Sequence, residues 1–254
     1  MRLPHLALAS IALAFSLATP SRKSAEARAP AQPVVVELFT AEGCSACPPA
    51  DALLDRLAHD QPVAGAEVIA LELHVDYFDR PGKADPFAQA AFSARQAEYI
   101  RSFGKRGAYT PQMVIDGGRE VVGAQEREAH DAIADAARAP KAKVVIARDG
   151  DKLTITVDGL ADVGGSDSVS VWLALTEEGL TSRDGTAATA VHGAVVRDLR
   201  RVSSVAGGAR APVVVKDLDV AMDASWRRDK VRAVAFVQRD KSLQIVGAGA
   251  ISMR

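Results

Sequence analysis

Cysteine is nearly absent from these 254 residues. There are two, Cys44 and Cys47, which excludes a scaffold built on several disulfides. An excess of one charge is missing as well. Lysine and arginine total 31 against 32 acidic residues, a formal charge of −1, so no basic surplus exists to hold a polyanion. This argues against nucleic acid as a partner. Internal repeats are lacking, and the only compositional bias is toward alanine. Aromatics make up just 5%, yet the 48% hydrophobic and 25% charged fractions are those of a soluble globular protein, which excludes disorder and collagen-like repeats. At about 100–150 residues per domain, the length suits two domains.

The N-terminal residues form a separate feature. Arg2 precedes an apolar run from Leu6 to Ala18, about as long as a signal-peptide core and too short to cross a bilayer of about 30 Å as a helix. Residues 1–27 read as an export signal, with small residues suited to cleavage after Ala18 or after Ala27. The alternative is an uncut membrane anchor. No later stretch is apolar for long enough to span a bilayer, so no membrane contact is expected beyond the signal. The mature chain is expected to be periplasmic or secreted, where a thiol pair is either a disulfide or chemically employed.

Residues 34–139 alternate strand and helix signals. The apolar run Val34-Val35-Val36, continued through Glu37 to Phe39, reads as a buried strand. A turn follows, and then a helix from Cys44 to Ala58 whose Ala50, Leu53, Leu54 and Leu57 share one face. Its first turn is expected to hold both cysteines. Further strands are predicted over 67–75, 112–115 and 120–122, with helices over 86–103 and 125–138. Past Pro140 the pattern changes to about seven short β-branched segments (143–148, 153–157, 169–175, 190–197, 213–215, 231–238 and 243–251), with one helical stretch over 222–230. The expected architecture is an α/β domain over 34–139 followed by an antiparallel all-β, sandwich-like domain over 141–254.

The strand, turn, C-x-x-C and helix occur in succession, and that order has a chemical use. A helix N-terminus carries unpaired N–H groups and about half a positive charge, which favours a thiolate at the first cysteine. A cysteine three residues later can attack a mixed disulfide formed there, so Cys44 is the candidate nucleophile and Cys47 the resolving thiol. The alternative is a permanent disulfide that stiffens the helix start. Glu37 is a charged residue in an apolar strand; it could move protons for the resolving thiol or pair with a lysine or arginine. His74, Asp76 and Asp79 end the second strand and open a loop. Cys44, Cys47 and His74 together would form a soft ligand set for copper(I) or zinc. Taken alone, His74 is a packed, hydrogen-bonded histidine. His192, Trp172 and Trp226 read as packing residues.

The strand with Cys44-Ser-Ala-Cys47, and the later Tyr109-Thr110-Pro111-Gln112-Met113-Val114, resemble a thioredoxin-like protein. That resemblance implies a cis Pro111 facing the cysteines and shaping the substrate surface, and a buried acid near Glu37. More narrowly, Glu-Leu-Phe-Thr-Ala-Glu-Gly-Cys-Ser-Ala-Cys-Pro-Pro, His74-Val-Asp-Tyr-Phe-Asp79 and Tyr-Thr-Pro-Gln-Met-Val resemble a family of exported bacterial proteins classed as a domain of unknown function, DUF1223. Gly43 departs from the thioredoxin pattern, which has tryptophan there, and Ser45-Ala46 carries no charge from which a redox direction can be read. The expected function is thiol–disulfide exchange on exported proteins or small thiols, with no organic cofactor. The competing expectations are a copper(I) or zinc carrier and a non-enzymatic protein whose β half binds a partner.

Overall fold

A computed structural model describes residues 30–165, 167–182, 190–206 and 208–254. The expected export signal, residues 1–27, lies outside the described residues. In chain order the elements of the first half are β1 (Gln32–Thr40), α1 (Pro48–Asp60), β2 (Ala66–His74), α2 (Ala90–Ser102), β3 (Gln112–Ile115), β4 (Arg119–Val122) and α3 (Glu126–Ala136). The second half contributes β5 (Lys143–Asp149), β6 (Lys152–Asp158), β7 (Val169–Glu177), β8 (Leu180–Ser182), β9 (Ala190–His192), β10 (Val195–Val205), β11 (Val213–Asp219), β12 (Val231–Arg239) and β13 (Ile245–Ser252). Among the described residues no helix is long and apolar enough to cross a membrane.

The two halves share one sheet. Its strand order is β13-β12-β7-β10-β2-β1-β3-β4. β1 runs parallel to β2 and antiparallel to β3, and β10 joins the far side of β2 through the parallel pair Val195 and Glu72. The change of pattern at Pro140 therefore marks a change in connectivity without a break in the sheet. A periodicity of two identifies strands but does not name their neighbours, so this junction has no local signature.

The alternation along β1 sorts its side chains onto two faces. Val34, Val36 and Leu38 pack with Leu53, Leu54 and Leu57 of α1 and Ile133 of α3. Val35 and Phe39 face Phe92 and Tyr99 of α2, and this second core continues to Ala174 of β7, Val234 and Phe236 of β12 and Ala248 of β13. On the opposite face of β7 and β12, Leu173, Leu175, Ala233 and Ala235 pack against Leu153 and Ile155 of the three-stranded sheet β11-β6-β5. The large sheet is thus covered by helices at one end and by a small sheet at the other. It also curls back on itself: the Ile245 N–H opening β13 donates to the Asp116 carbonyl just after β3, at 2.7 Å.

That closure rests on one glycine. Asp116 and Gly117 open the three-residue loop from β3 to β4 with φ of +45° and +64°, a left-handed conformation that favours glycine at the second position. A Cβ at Gly117 would lie 1.9 Å from the Leu243 carbonyl oxygen, so Gly117→Ala must displace backbone. It is expected to cost at least about 2 kcal/mol, measurable as a lower urea midpoint.

Three local expectations are corrected. Both cysteines precede α1, with Cys47 as its N-cap residue, because the prolines that follow suit the first helical positions. The stretch 222–230 holds only a 3-10 turn, Arg228–Lys230. The segment 190–197 divides between β9, which pairs with β8, and the start of β10.

Candidate functional site

The carboxyl ends of β1 and β2 lie side by side, with Thr40 opposite His74. Crevices beyond the carboxyl ends of parallel strands are where α/β sheets place their ligands. Beyond Thr40 the chain makes two successive turns, Cys44 N–H to the Ala41 carbonyl and Cys47 N–H to the Cys44 carbonyl. These turns carry the cysteines to the head of α1, where they form a disulfide. Cys47 is fully buried and Cys44 is 6% exposed, so an incoming group reaches Cys44 first. Phe39, Phe92 and Tyr99 belong to the same apolar cluster as the pair, with Phe78 at its margin. Gly43, where the thioredoxin pattern has tryptophan, gives Phe78 its place: a Cβ at Gly43 would lie 3.0 Å from the Phe78 Cβ.

The donors at the head of α1 differ from those expected. Pro48 and Pro49 occupy its first two positions and have no N–H, and the Ala50 N–H is taken by the Cys47 carbonyl at 2.8 Å. The helix offers Cys44 its dipole but few free N–H groups. A hydrogen bond to the Cys44 sulfur comes instead from the Thr110 hydroxyl, at 3.2 Å. The Thr110–Pro111 bond is cis. Thr110 reaches the site because β3, which begins at Gln112, pairs with β1 so that Gln112 faces Phe39.

Glu37 lies between Val35 and Phe39 on their face of β1, in a buried network with α2. It accepts hydrogen bonds from Arg95 Nε at 2.5 Å and Nη2 at 3.1 Å and from the Tyr99 hydroxyl. Gln238 of β12 closes the group by accepting from Arg95 and donating to Tyr99. Burial pushes the Tyr99 phenol well above its usual range, which keeps it a neutral donor. The Arg95 guanidinium also lies over the ring of Trp172. Among the described residues no hydrogen bond joins Glu37 to either cysteine; its geometry is that of a paired carboxylate tying β1, α2 and β12 together.

His74 enters a different cluster from the one expected. Its Nδ1 lies 2.8 Å from Asp85 Oδ2 and its Nε2 lies 3.6 Å from Glu72 Oε1. His192 bridges Glu72, at 2.5 Å from Nδ1, and Glu42, at 2.8 Å from Nε2. Asp51, bonded by the Thr40 hydroxyl at 2.7 Å, borders the group. Among the described residues the donor sets that could hold a metal ion are Glu72-His74-His192 and Glu42-His74-Asp85. Neither includes a cysteine, so His74 is not brought into a common ligand set with Cys44 and Cys47. The cluster nonetheless adjoins the disulfide, because Glu42 is two residues from Cys44 and its N–H donates to Asp85 at 2.8 Å.

Charge in this cluster is strongly coupled to burial. Burial alone would push both imidazoles down, but the hydrogen bond to Asp85 and the nearby Glu72 carboxylate bring His74 up to about 9, and hydrogen bonds to Glu42 and Glu72 bring His192 up to about 10. Burial and the charge of Glu72 push Asp51 up to about 7. A folded-state pKa above the unfolded value of about 6.5 gives stability that is complete below that value and lost as pH rises through the folded pKa. With chelator present, the urea midpoint is therefore expected to fall between about pH 7 and pH 10, and His74→Gln should flatten that fall.

Glu42, Glu72 and Asp85 carry no motif of their own in the sequence, and His192, expected to be a packing residue, instead joins the carboxylates. Glu72 and His74 are two apart on one strand, a signal that they share a face. Nothing local ties them to His192, which is 120 residues from Glu72.

The family described as "Protein of unknown function (DUF1223)" matches residues 35–238, and the chain belongs to that family. A solved structure of a protein from Agrobacterium tumefaciens, AGR_C_4864, is similar to this chain at 28% identity and a TM-score of 0.73, covering 88% of this chain and 96% of that one. HBP35 of Porphyromonas gingivalis is similar in fold, with 16% identity, a TM-score of 0.60 and coverage of 88% and 76%. No curated protein matches the sequence.

Proposed function

We propose that this DUF1223 protein is an exported thiol–disulfide oxidoreductase acting on proteins or small thiols, with Cys44 as the attacking residue and Cys47 as the resolving one. One observation carries the reading: the Cys44–Cys47 disulfide lies at the head of α1 with the Thr110 hydroxyl on the sulfur of its more exposed cysteine, Cys44. The thioredoxin-like part of the proposal draws support from the first half of the sheet. There β3 lies beside β1, α1 follows β1, and the strands run in the order β2-β1-β3-β4.

The chemistry balances without an organic cofactor. In the dithiol form the Cys44 thiolate attacks one sulfur of a substrate disulfide, which forms a mixed disulfide and expels a substrate thiolate. The Cys47 thiolate then attacks the Cys44 sulfur, closes the protein disulfide and releases the second substrate thiolate. Two electrons pass to the substrate. Run in reverse, a substrate dithiol attacks Cys44 and leaves oxidised. The Thr110 hydroxyl stabilises the Cys44 thiolate in either direction, and Pro111 lies where an extended substrate would pass.

Thr110 supplies the test. A hydrogen bond to a charged group is worth about 1.5–3 kcal/mol, so Thr110→Val is expected to raise the Cys44 pKa by about one unit and to slow exchange with a peptide disulfide about tenfold at neutral pH. Thr110→Ser should restore both. Unchanged thiol acidity and rate in Thr110→Val would remove Thr110 from the site.

A further inference from the structure

We propose that Glu72, His74 and His192 form a binding site for one divalent transition-metal ion, independent of the cysteines. These three residues place one donor atom each within 4.8 Å of one another at the carboxyl end of β2, and all three are buried. Two imidazoles and a carboxylate suit a borderline ion such as Zn2+, whereas copper(I) favours sulfur.

The second observation is His74 Nε2 itself. His74 is fully buried, and its Nε2 makes no hydrogen bond, although a buried ring nitrogen ordinarily finds a partner. That nitrogen faces Glu72 Oε1 at 3.6 Å. Two donors about 2.0–2.2 Å from a tetrahedral zinc are themselves separated by roughly 3.4 Å, so this pair already stands at the separation that one shared ion requires.

The surrounding groups orient the rings for the same task. A metal-bound histidine almost always donates its other ring N–H to a carboxylate or carbonyl, which fixes the tautomer and raises the basicity of the ligating nitrogen. Asp85 Oδ2 lies 2.8 Å from His74 Nδ1 and holds a proton there, so an ion that displaces the Nε2 proton on binding meets an Nε2 lone pair facing Glu72. Glu42 Oε1 lies 2.8 Å from His192 Nε2, which leaves Nδ1 on Glu72 Oε1 at 2.5 Å, a hydrogen bond that the bound ion replaces as the pair opens. Each histidine thus has a carboxylate behind it and Glu72 in front. Asp85 is held in turn by the backbone N–H groups of Glu42 and Phe87, so the orienting carboxylate is itself fixed. Three protein ligands leave a fourth position on a tetrahedral ion.

The test uses untagged, fully oxidised protein, in which the cysteines are held in their disulfide, with Zn2+ as the probe. After chelator treatment, competition titration against a chromophoric chelator is expected to give one equivalent bound with a dissociation constant at or below about 1 µM. Zn2+ should also raise the melting temperature. His74→Gln should weaken binding at least about 100-fold and Asp85→Asn about 10- to 100-fold, whereas Cys44→Ser/Cys47→Ser should bind like wild type. Far-UV circular dichroism checks that each variant is folded. X-ray absorption of zinc-loaded wild type, which needs no variant, should show only nitrogen and oxygen neighbours, about two of them imidazole. Sulfur in that spectrum, affinity weaker than about 100 µM, equal affinity in folded His74→Gln, or loss of binding in the cysteine variant would each overturn the proposal.

Discussion

Arg95→Ala is expected to lower stability by about 3–5 kcal/mol, the cost of leaving one member of a buried ion pair uncompensated. Glu37 is wholly enclosed, and its oxygens accept from Arg95 and Tyr99. Removing the guanidinium strands a carboxylate between β1 and α2, and it also takes away the cation over Trp172 and the partner of Gln238. Arg95→Met combined with Glu37→Gln should recover much of the loss, because an ion pair replaced as a whole by neutral groups leaves no bare charge. Urea denaturation of the two single variants and the double variant measures this directly. A loss below about 1 kcal/mol for Arg95→Ala would mean that Glu37 is not held as an anion by Arg95.

The second large effect concerns the cysteines, and the two replacements should behave differently. Cys44→Ser removes the more exposed of the two cysteines, and exchange with a peptide disulfide is expected to fall at least about 1000-fold, since thiolate attack cannot be replaced by a hydroxyl. On the proposed mechanism, Cys47→Ser keeps the attacking group and loses the resolving one. It should react once and then accumulate as a mixed disulfide on Cys44. A permanent structural disulfide would give the opposite pattern: both variants would lose a similar, small amount of stability, because a loop of this length removes little unfolded-state entropy.

Much of the first half was legible because its signals are local. The apolar run at Val34 to Phe39 gave a strand of the expected kind, and the spacing of Ala50, Leu53, Leu54 and Leu57 marked the buried face of α1. The C-x-x-C lay where a strand passes into a helix. What escaped depends on contacts distant in sequence. The parallel contact of Val195 with Glu72 joins the two halves, and periodicity cannot name that partner. The same contact brings His192 to Glu72 and so assembles the histidine cluster. Glu37 stood out as a charge in an apolar strand, but its partner Arg95 lies on a helix 58 residues later. Pro48 and Pro49 were visible in the sequence, and their effect was still missed. By lacking N–H groups they leave the Thr110 hydroxyl to serve the Cys44 sulfur.

Cys44 and Cys47 are proposed to form a reversible pair in which Cys44 meets the substrate. This is tested most directly by equilibrating the protein in glutathione buffers of graded poise, quenching with an alkylating agent and locating the adducts by mass spectrometry. A single two-electron transition between the dithiol and the Cys44–Cys47 disulfide is expected, and in Cys47→Ser a glutathione adduct on Cys44. Faster alkylation of Cys44 than of Cys47 at neutral pH should accompany it. A disulfide that no poise reduces or forms, or two thiols of equal reactivity, would contradict it.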